Sequence, residues 1–138
     1  MSELPNHRYT VELRFSGDGL VPSEITRRLG LQPTHSSDNF ASNTKTQMRR
    51  PFWAYNGQGE DGFQSEWPSL EQGLNLLLRR LAPLRPAVIE LSRSYEGLWW
   101  CGHFQASFDG GPILSSKVLS EIAIYGLPLY IDNYFATV

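Results

Sequence analysis

The sequence has one cysteine, no long apolar run and little net charge, and each shortage excludes a class of protein. Cys101 has no second cysteine to pair with, so a disulfide within the chain is impossible and a reducing compartment is expected. No apolar run reaches the roughly 18 residues of a membrane-spanning helix, and residues 1–8 lack the apolar segment of a signal peptide. We therefore expect a soluble cytoplasmic protein.

An excess of basic residues, the usual mark of a nucleic-acid-binding protein, is also missing. The formal net charge is -2 at pH 7 and the isoelectric point is near 5.9, so we expect no nucleic-acid partner. The histidines His7, His35 and His103 do not follow a metal-ligand spacing, and neither a metal site nor a cofactor is expected. A chain of 138 residues fits a single domain, 1–138, with a substantial core.

What the sequence does contain is an internal echo. Residues 15–25 leave an alternating strand, turn through glycines and begin a helix that ends at Gly30. Residues 108–118 repeat this pattern, and their helix ends at Gly126. The glycine spacing is not Gly-x-Gly-x-x-Gly, so we interpret these segments as tight turns rather than phosphate-binding loops. The repeat predicts a pseudo-two-fold pair of strand–turn–helix units.

Apolar periodicity and capping residues predict the elements around this echo. The predicted helices begin at Pro22, after Ser69, and after Ser115 or Ser116, and the predicted strands cover residues 9–15, 51–56, 87–91, 98–106 and 127–134. Residues 87–91 and 98–106 are expected to form a hairpin, and the polar segment 32–50 a long loop. The order predicts an α+β fold, a ferredoxin-like sandwich whose mainly antiparallel sheet of about five strands carries helices on one face.

Strand parity then predicts which side chains occupy the other, open face of the sheet. If Tyr9, Trp100 and Phe104 face the helices, their neighbours along each strand point away from the helices. The open face is then a mixed aromatic and charged surface, the kind that binds partners. The predicted binding residues are Glu12, Arg14, Trp99, Cys101, His103, Tyr130, Asp132 and Tyr134.

This predicted face admits more than one function. The first hypothesis is a non-enzymatic domain that binds a protein partner, or a second copy of itself, through the open face and the 32–50 loop. The alternative is an enzyme or small-ligand binder in which His103 acts with Glu12, Asp132 or Cys101 as an acid–base or thiol–imidazole pair. An ordinary solvated sheet face is a third interpretation, but it leaves Trp99 and Tyr130 exposed together, which is unusual for a monomer.

Several stretches of the sequence also form a recognisable combination. The turn at Gly17-Asp18, the helix start at Pro22-Ser23-Glu24-Ile25 and the segment Leu29-Gly30-Leu31-Gln32-Pro33-Thr34 precede a leucine-rich helix and a terminal pattern from Gly126 to Tyr134. In this combination the chain resembles the bacterial family called domain of unknown function 4279 over nearly its whole length. The resemblance implies no catalytic residue, because that family has no assigned reaction. By analogy with other small bacterial domains, it implies an immunity-type or partner-binding role.

Overall fold

A computed structural model describes residues 6–38 and 50–135 of the chain. Within them the strands are β1 (His7–Ser16), β2 (His35–Ser37), β3 (Phe52–Tyr55), β4 (Glu96–Gln105) and β5 (Leu129–Phe135). The helices are α1 (Pro22–Leu29), α2 (Leu70–Leu81), α3 (Arg85–Ser94) and α4 (Ser116–Ala123), with a 3₁₀ turn at Ala82–Leu84 between α2 and α3. No helix in these two ranges combines the length and the apolar character needed to cross a membrane.

The five strands form one sheet in the order β2-β3-β1-β4-β5. Antiparallel pairing joins β2 to β3, β3 to β1 and β1 to β4, whereas β4 and β5 run parallel. The central β1–β4 pair is the longest, with ten residues of each strand in register. The predicted α+β class and mainly antiparallel sheet of about five strands are confirmed.

Helices pack on one face of the sheet, which we call the covered face. The alternating residues of β1 that were expected to face inward, from Tyr9 to Phe15, belong to a single buried cluster. The leucines of α2 join this cluster together with Ile25 of α1 and Val88 of α3. Trp53 is fully buried there, and its indole N–H donates to the Thr26 hydroxyl of α1. Apolar burial of this kind is the main favourable term in folding.

Local capping chemistry sets the predicted helix ends. Pro22 occupies the first turn of α1, and Gly30 ends that helix with a φ of 68°, a left-handed conformation that favours glycine. The hydroxyl oxygen of Ser69 accepts a hydrogen bond from the backbone N–H of Gln72 at the start of α2. Ser115, rather than Ser116, does the same for Val118 at the start of α4.

The predicted hairpin is wrong, because residues 87–91 belong to helix α3 and not to a strand. Helix α2 ends at Leu81, Pro83 lies in the 3₁₀ turn that follows it, and Pro86 occupies the first turn of α3. The buried residues of α3 are Val88 and Leu91, a spacing of three that places both on one side of a helix. Tertiary packing of these two residues decides in favour of a helix where a short apolar run was ambiguous.

The predicted 32–50 loop is only partly described, since residues 39–49 lie outside the described ranges. Its first part contains a short strand that the sequence did not predict, β2, which extends the sheet beyond β3. At the other end of the segment, Arg50 forms ion pairs with Glu96 and Asp18.

The two units of the sequence echo place their second strands differently. Helix α1 leads to β2, which is separated from β1 by β3, whereas α4 leads to β5, which pairs directly with β4. The pseudo-two-fold repeat and the ferredoxin-like classification therefore stay predictions.

Candidate functional site

The register of the strands defines a second sheet face, which we call the open face. Glu12 pairs with Trp100 and Arg8 with Phe104 across β1 and β4, and these residues alternate with the buried ones of each strand. No member of the open face belongs to the buried core cluster of the described residues. The open face includes Arg8, Glu12, Arg14, His35, Phe52, Trp100, Phe104, Tyr130, Asp132 and Tyr134.

The predicted placement is correct for five of the eight candidate residues and wrong for three. Glu12, Arg14, Tyr130, Asp132 and Tyr134 lie on the open face as expected, and their role in binding stays a prediction. Trp99, Cys101 and His103 instead lie on the covered face, opposite Leu13, Val11 and Tyr9 respectively, and all three are buried. Gln105 is buried in the same way, and Trp100 and Phe104 occupy the open face in their place.

A buried carboxylate lies near the centre of the open face. The Glu12 side chain is only 8% exposed, although it lies on the face opposite the described helices. Its Oε2 accepts a hydrogen bond of 2.7 Å from Nε of Arg14, and its Oε1 lies 3.0 Å from Nε2 of His35. A carboxylate removed from water requires such partners, because an unpaired buried charge is strongly unfavourable. Since an ionised carboxylate only accepts, the pairing places a proton on Nε2 of His35.

Aromatic rings surround this cluster of Glu12, Arg14 and His35. The Arg14 guanidinium carbon lies 5.0 Å from the centre of the Trp100 ring and 6.0 Å from that of Phe52. The His35 and Phe52 rings meet edge to face at 5.4 Å. Cation–π contacts at these distances are favourable and fix the orientation of the planar guanidinium.

A second group of rings lies towards the β5 edge. Phe104 and Tyr134 stack with ring centres 4.9 Å apart, and the Arg8 guanidinium lies 5.9 Å from the Phe104 ring. The Tyr134 hydroxyl donates to the Asp132 carboxylate, and this hydrogen bond raises the pKa of Tyr134. Tyr130 and Tyr134 remain 51% and 40% exposed, so this part of the open face presents ring surface to solvent.

The charges of the open face are largely paired within the protein. Arg14 pairs with Glu12, and Arg8 forms an ion pair of 2.7 Å with Glu66 from the segment before α2. Asp132 accepts from Tyr134. The surface therefore offers aromatic area and satisfied polar groups rather than a strong field of one sign.

Sequence reasoning missed His35, Phe52, Trp100 and Phe104 as members of this face. His35 lies in the polar segment that was interpreted as a loop, where no periodicity marks a strand. The sequence alone does not show which alternate residues of β4 face the core, because both alternating sets in the run from Leu98 to Phe104 contain apolar residues. Only the register with β1, whose alternation is strict, assigns the two sets to their faces.

The residues of the alternative catalytic site lie on opposite faces of the sheet. His103 is on the covered face, whereas Glu12 and Asp132 are on the open face. Burial, with a smaller contribution from the negative charge of Glu12, raises the pKa of Cys101 to about 12. An activated cysteine has a lowered pKa, whereas the pKa of Cys101 is raised.

Comparison with known proteins gives one match. No curated protein matches the chain, and neither does any solved structure. One family profile matches residues 7–136, which is nearly the whole sequence and agrees with the resemblance carried by the turn, helix and terminal-strand motifs. The chain belongs to the family described as domain of unknown function (DUF4279).

Proposed function

We propose that this protein is a non-enzymatic protein-binding module and that the open face is its binding surface. The single observation that supports this most is the exposure of Tyr130 and Tyr134 on a sheet face already rich in aromatic and arginine side chains. Tyrosine, tryptophan and arginine dominate the energetics of protein interfaces, because they contribute large contact areas with fixed geometry. The immunity-type role suggested by the family resemblance is one form of this function and stays a prediction.

The internal charge pairing indicates the chemistry of the partner. Because Arg8, Arg14 and Asp132 already have polar partners within the chain, an added charged group would have to displace them. An apolar or uncharged hydrogen-bonding surface can instead stack on the exposed rings without breaking any pair. We therefore propose a partner with apolar and uncharged polar contact residues, either a different protein or a second copy of this chain.

The experiment combines self-association with selection of ligands. Sedimentation of the full chain over a range of concentrations measures dimer formation, and a peptide display library supplies sequences whose synthetic peptides are then titrated. The double variant Tyr130→Ser/Tyr134→Ser is expected to weaken dimerisation or peptide binding at least about tenfold, which corresponds to about 1.4 kcal/mol.

A matched control comes from helix α4. Leu119 of this helix is 47% exposed, and Ile124, which directly follows its last residue, is 54% exposed. The variant Leu119→Ser/Ile124→Ser removes a similar exposed apolar area away from the open face, and its binding should stay within about twofold of the wild type. Equal loss in both variants contradicts the proposal, as does the absence of both a dimer and a binding peptide.

A second candidate function is a small-ligand site with acid–base chemistry, and the contact between His35 and Glu12 favours it. The carboxylate is buried and holds Nε2 of a half-exposed imidazole at 3.0 Å, an arrangement that orients a histidine for proton transfer. A fragment screen read by backbone amide shifts tests it, and hits should cluster at Glu12, Arg14 and His35. If no fragment shifts these amides, this second function is wrong.

We also propose that the fold is a ferredoxin-like sandwich extended at one edge by α4 and β5. The order β2-β3-β1-β4 of the first four strands, with β1 and β4 antiparallel, supports this classification.

A further inference from the structure

Side chains from three strands and one loop carbonyl form a continuous hydrogen-bonded chain on the covered face. Nε2 of His7 lies 2.6 Å from the backbone carbonyl oxygen of Asp109, and Nδ1 of His7 lies 2.8 Å from Nε2 of His103. Nδ1 of His103 then lies 2.8 Å from the side-chain oxygen Oδ1 of Asn133. His103 is only 4% exposed, and its ring stacks on Tyr9 with centres 4.8 Å apart. We call these linked groups the histidine chain.

Proton counting fixes the neutral form of the histidine chain. A carbonyl oxygen can only accept, so the single proton of neutral His7 must lie on Nε2, which leaves Nδ1 as an acceptor. His103 must then donate from Nε2, and its own Nδ1 becomes an acceptor. Oδ1 of Asn133 faces that nitrogen in the structure, so the neutral form requires the amide to turn and present its N–H₂ group. Every hydrogen bond of the chain is then made in this state.

One added proton is accommodated without breaking the chain. It binds Nδ1 of His103, which then donates to Oδ1 of Asn133, in the orientation of the amide that the structure shows. A second added proton finds no ring nitrogen that can accept it without the loss of a hydrogen bond. It would put N–H groups on both Nδ1 of His7 and Nε2 of His103, which face each other at 2.8 Å, and two imidazolium cations would then be in contact. The second added proton therefore breaks the hydrogen bond between the two rings.

The other titratable groups around the chain do not compete with it in the range where histidines titrate. Burial raises the pKa of Tyr9, and the pKa of Cys101, two residues before His103 on the same face, is raised to about 12. From β5 the facing side chain is the neutral Asn133, and the contact from the loop is the backbone carbonyl of Asp109. Arg8, Glu12 and Asp132 are on the open face of the same strands. Within the described residues no third His, Cys, Asp or Glu groups with the two rings, which favours a proton over a metal ion as the ligand.

The histidine chain ends on a loop that carries exposed apolar side chains. Phe108 and Ile113 are each 88% exposed, and the Phe108 ring lies 4.6 Å from that of Phe135 at the β5 edge. Gly110 follows with a φ of +88°, and an added Cβ there would lie 3.1 Å from Nε2 of His7. The far end of this loop is fixed separately, because the backbone N–H of Ser115 donates to Glu71 of α2. His7 therefore ties the middle of the loop, at the Asp109 carbonyl, to strand β1.

We propose that the histidine chain is a proton-operated clamp on the loop of residues 107–114. The clamp holds the loop when the chain carries no added proton or one, and a second proton separates His7 from His103 and releases the loop with Phe108 and Ile113. This proposal is independent of the proposed function, because the histidine chain and the open face lie on opposite sides of the sheet.

The test is an NMR titration of the full chain between about pH 8 and about pH 5, the range in which histidines change charge. Ring ¹⁵N spectra at high pH should show His7 and His103 both protonated on Nε2. Backbone order parameters of residues 107–114 should be near about 0.85 at high pH and fall below about 0.6 at low pH, while those of α2 stay constant. In His7→Ala, which removes the donor to the Asp109 carbonyl, the loop should have low order parameters throughout.

The control is His35→Asn, which removes the histidine of the open face and should leave the loop transition unchanged. The proposal is overturned if His7 carries its proton on Nδ1 at high pH, or if the wild-type loop stays equally ordered at both ends of the titration. A rigid loop in His7→Ala, loss of the transition in His35→Asn, or loss of order in α2 together with the loop would overturn it as well.

Discussion

At the scale of single residues, neighbouring side chains of β4 have opposite environments. Trp99 is fully buried against the edge of Tyr125, with ring centres 5.2 Å apart. Trp100, the next residue, points to the open face and stacks on the Arg14 guanidinium. Two adjacent tryptophans therefore have different roles, one in the core and one on the candidate binding surface.

This difference predicts unequal costs of truncation. Trp99→Ala should lower the free energy of unfolding by about 3–5 kcal/mol, because it removes a fully buried ring and leaves a cavity. Trp100→Ala should cost only about 1 kcal/mol, since it mainly removes a cation–π contact on a half-buried surface. Urea unfolding of both variants measures the two values. Equal costs would contradict the assignment of the faces.

Cys101 provides a second prediction at this scale. With a pKa of about 12, only about one thiol in ten thousand is ionised at about pH 8 in the folded protein. Thiol-specific reagents should therefore modify the native protein only as fast as it unfolds, and unfolding in urea should make the reaction fast. Rapid modification of the native protein would disprove the burial of this side chain.

The same pKa shift has a consequence for stability at high pH. The thiol of the unfolded chain ionises first, as the pH rises through its ordinary value of about 9, whereas the folded thiol stays protonated towards about pH 12. The contribution of the buried thiol is thus complete below about pH 9 and is lost progressively above it. Cys101→Ala should lower stability at neutral pH and flatten this alkaline decline in urea unfolding.

At the scale of elements, helix ends depend on single hydroxyl groups. Ser115 and Ser116 are adjacent and chemically identical, but only the Ser115 hydroxyl accepts from the backbone N–H of Val118. Ser115→Ala should cost about 1 kcal/mol of unfolding free energy, while Ser116→Ala, in the first turn, should stay within about 0.5 kcal/mol. Thermal or urea unfolding separates the two, and a larger cost at Ser116 would contradict the observed cap.

The elements also show how far sequence alone predicts this fold. Strict alternation assigned both faces of β1. Pro22 and Gly30 located α1, and the serine caps located α2 and α4. The faces of β4 could not be assigned, because its run from Leu98 to Phe104 is apolar at both parities. Helix α3 was mistaken for a strand because its apolar residues are few and nearly contiguous, and only their packing reveals the spacing of Val88 and Leu91.

At the scale of the whole molecule, both polar clusters join residues distant in sequence. Glu12 meets His35 across 23 residues and His7 meets His103 across 96, and no local spacing signals either contact. The sheet brings these groups together and separates them onto its two faces. One face carries the histidine chain beside the loop of residues 107–114, and the other presents the aromatic surface that we propose as the binding site.

Trp100 offers the most direct test of that proposal. Trp53, Trp67 and Trp99 are buried, so quenching of tryptophan fluorescence by acrylamide reports mainly on Trp100, and Trp100→Phe verifies this assignment. Addition of the selected peptide, or concentration into the dimer range, should reduce the quenching constant by about half or more as the partner excludes solvent from the open face. Binding that leaves the quenching of Trp100 unchanged would contradict the account.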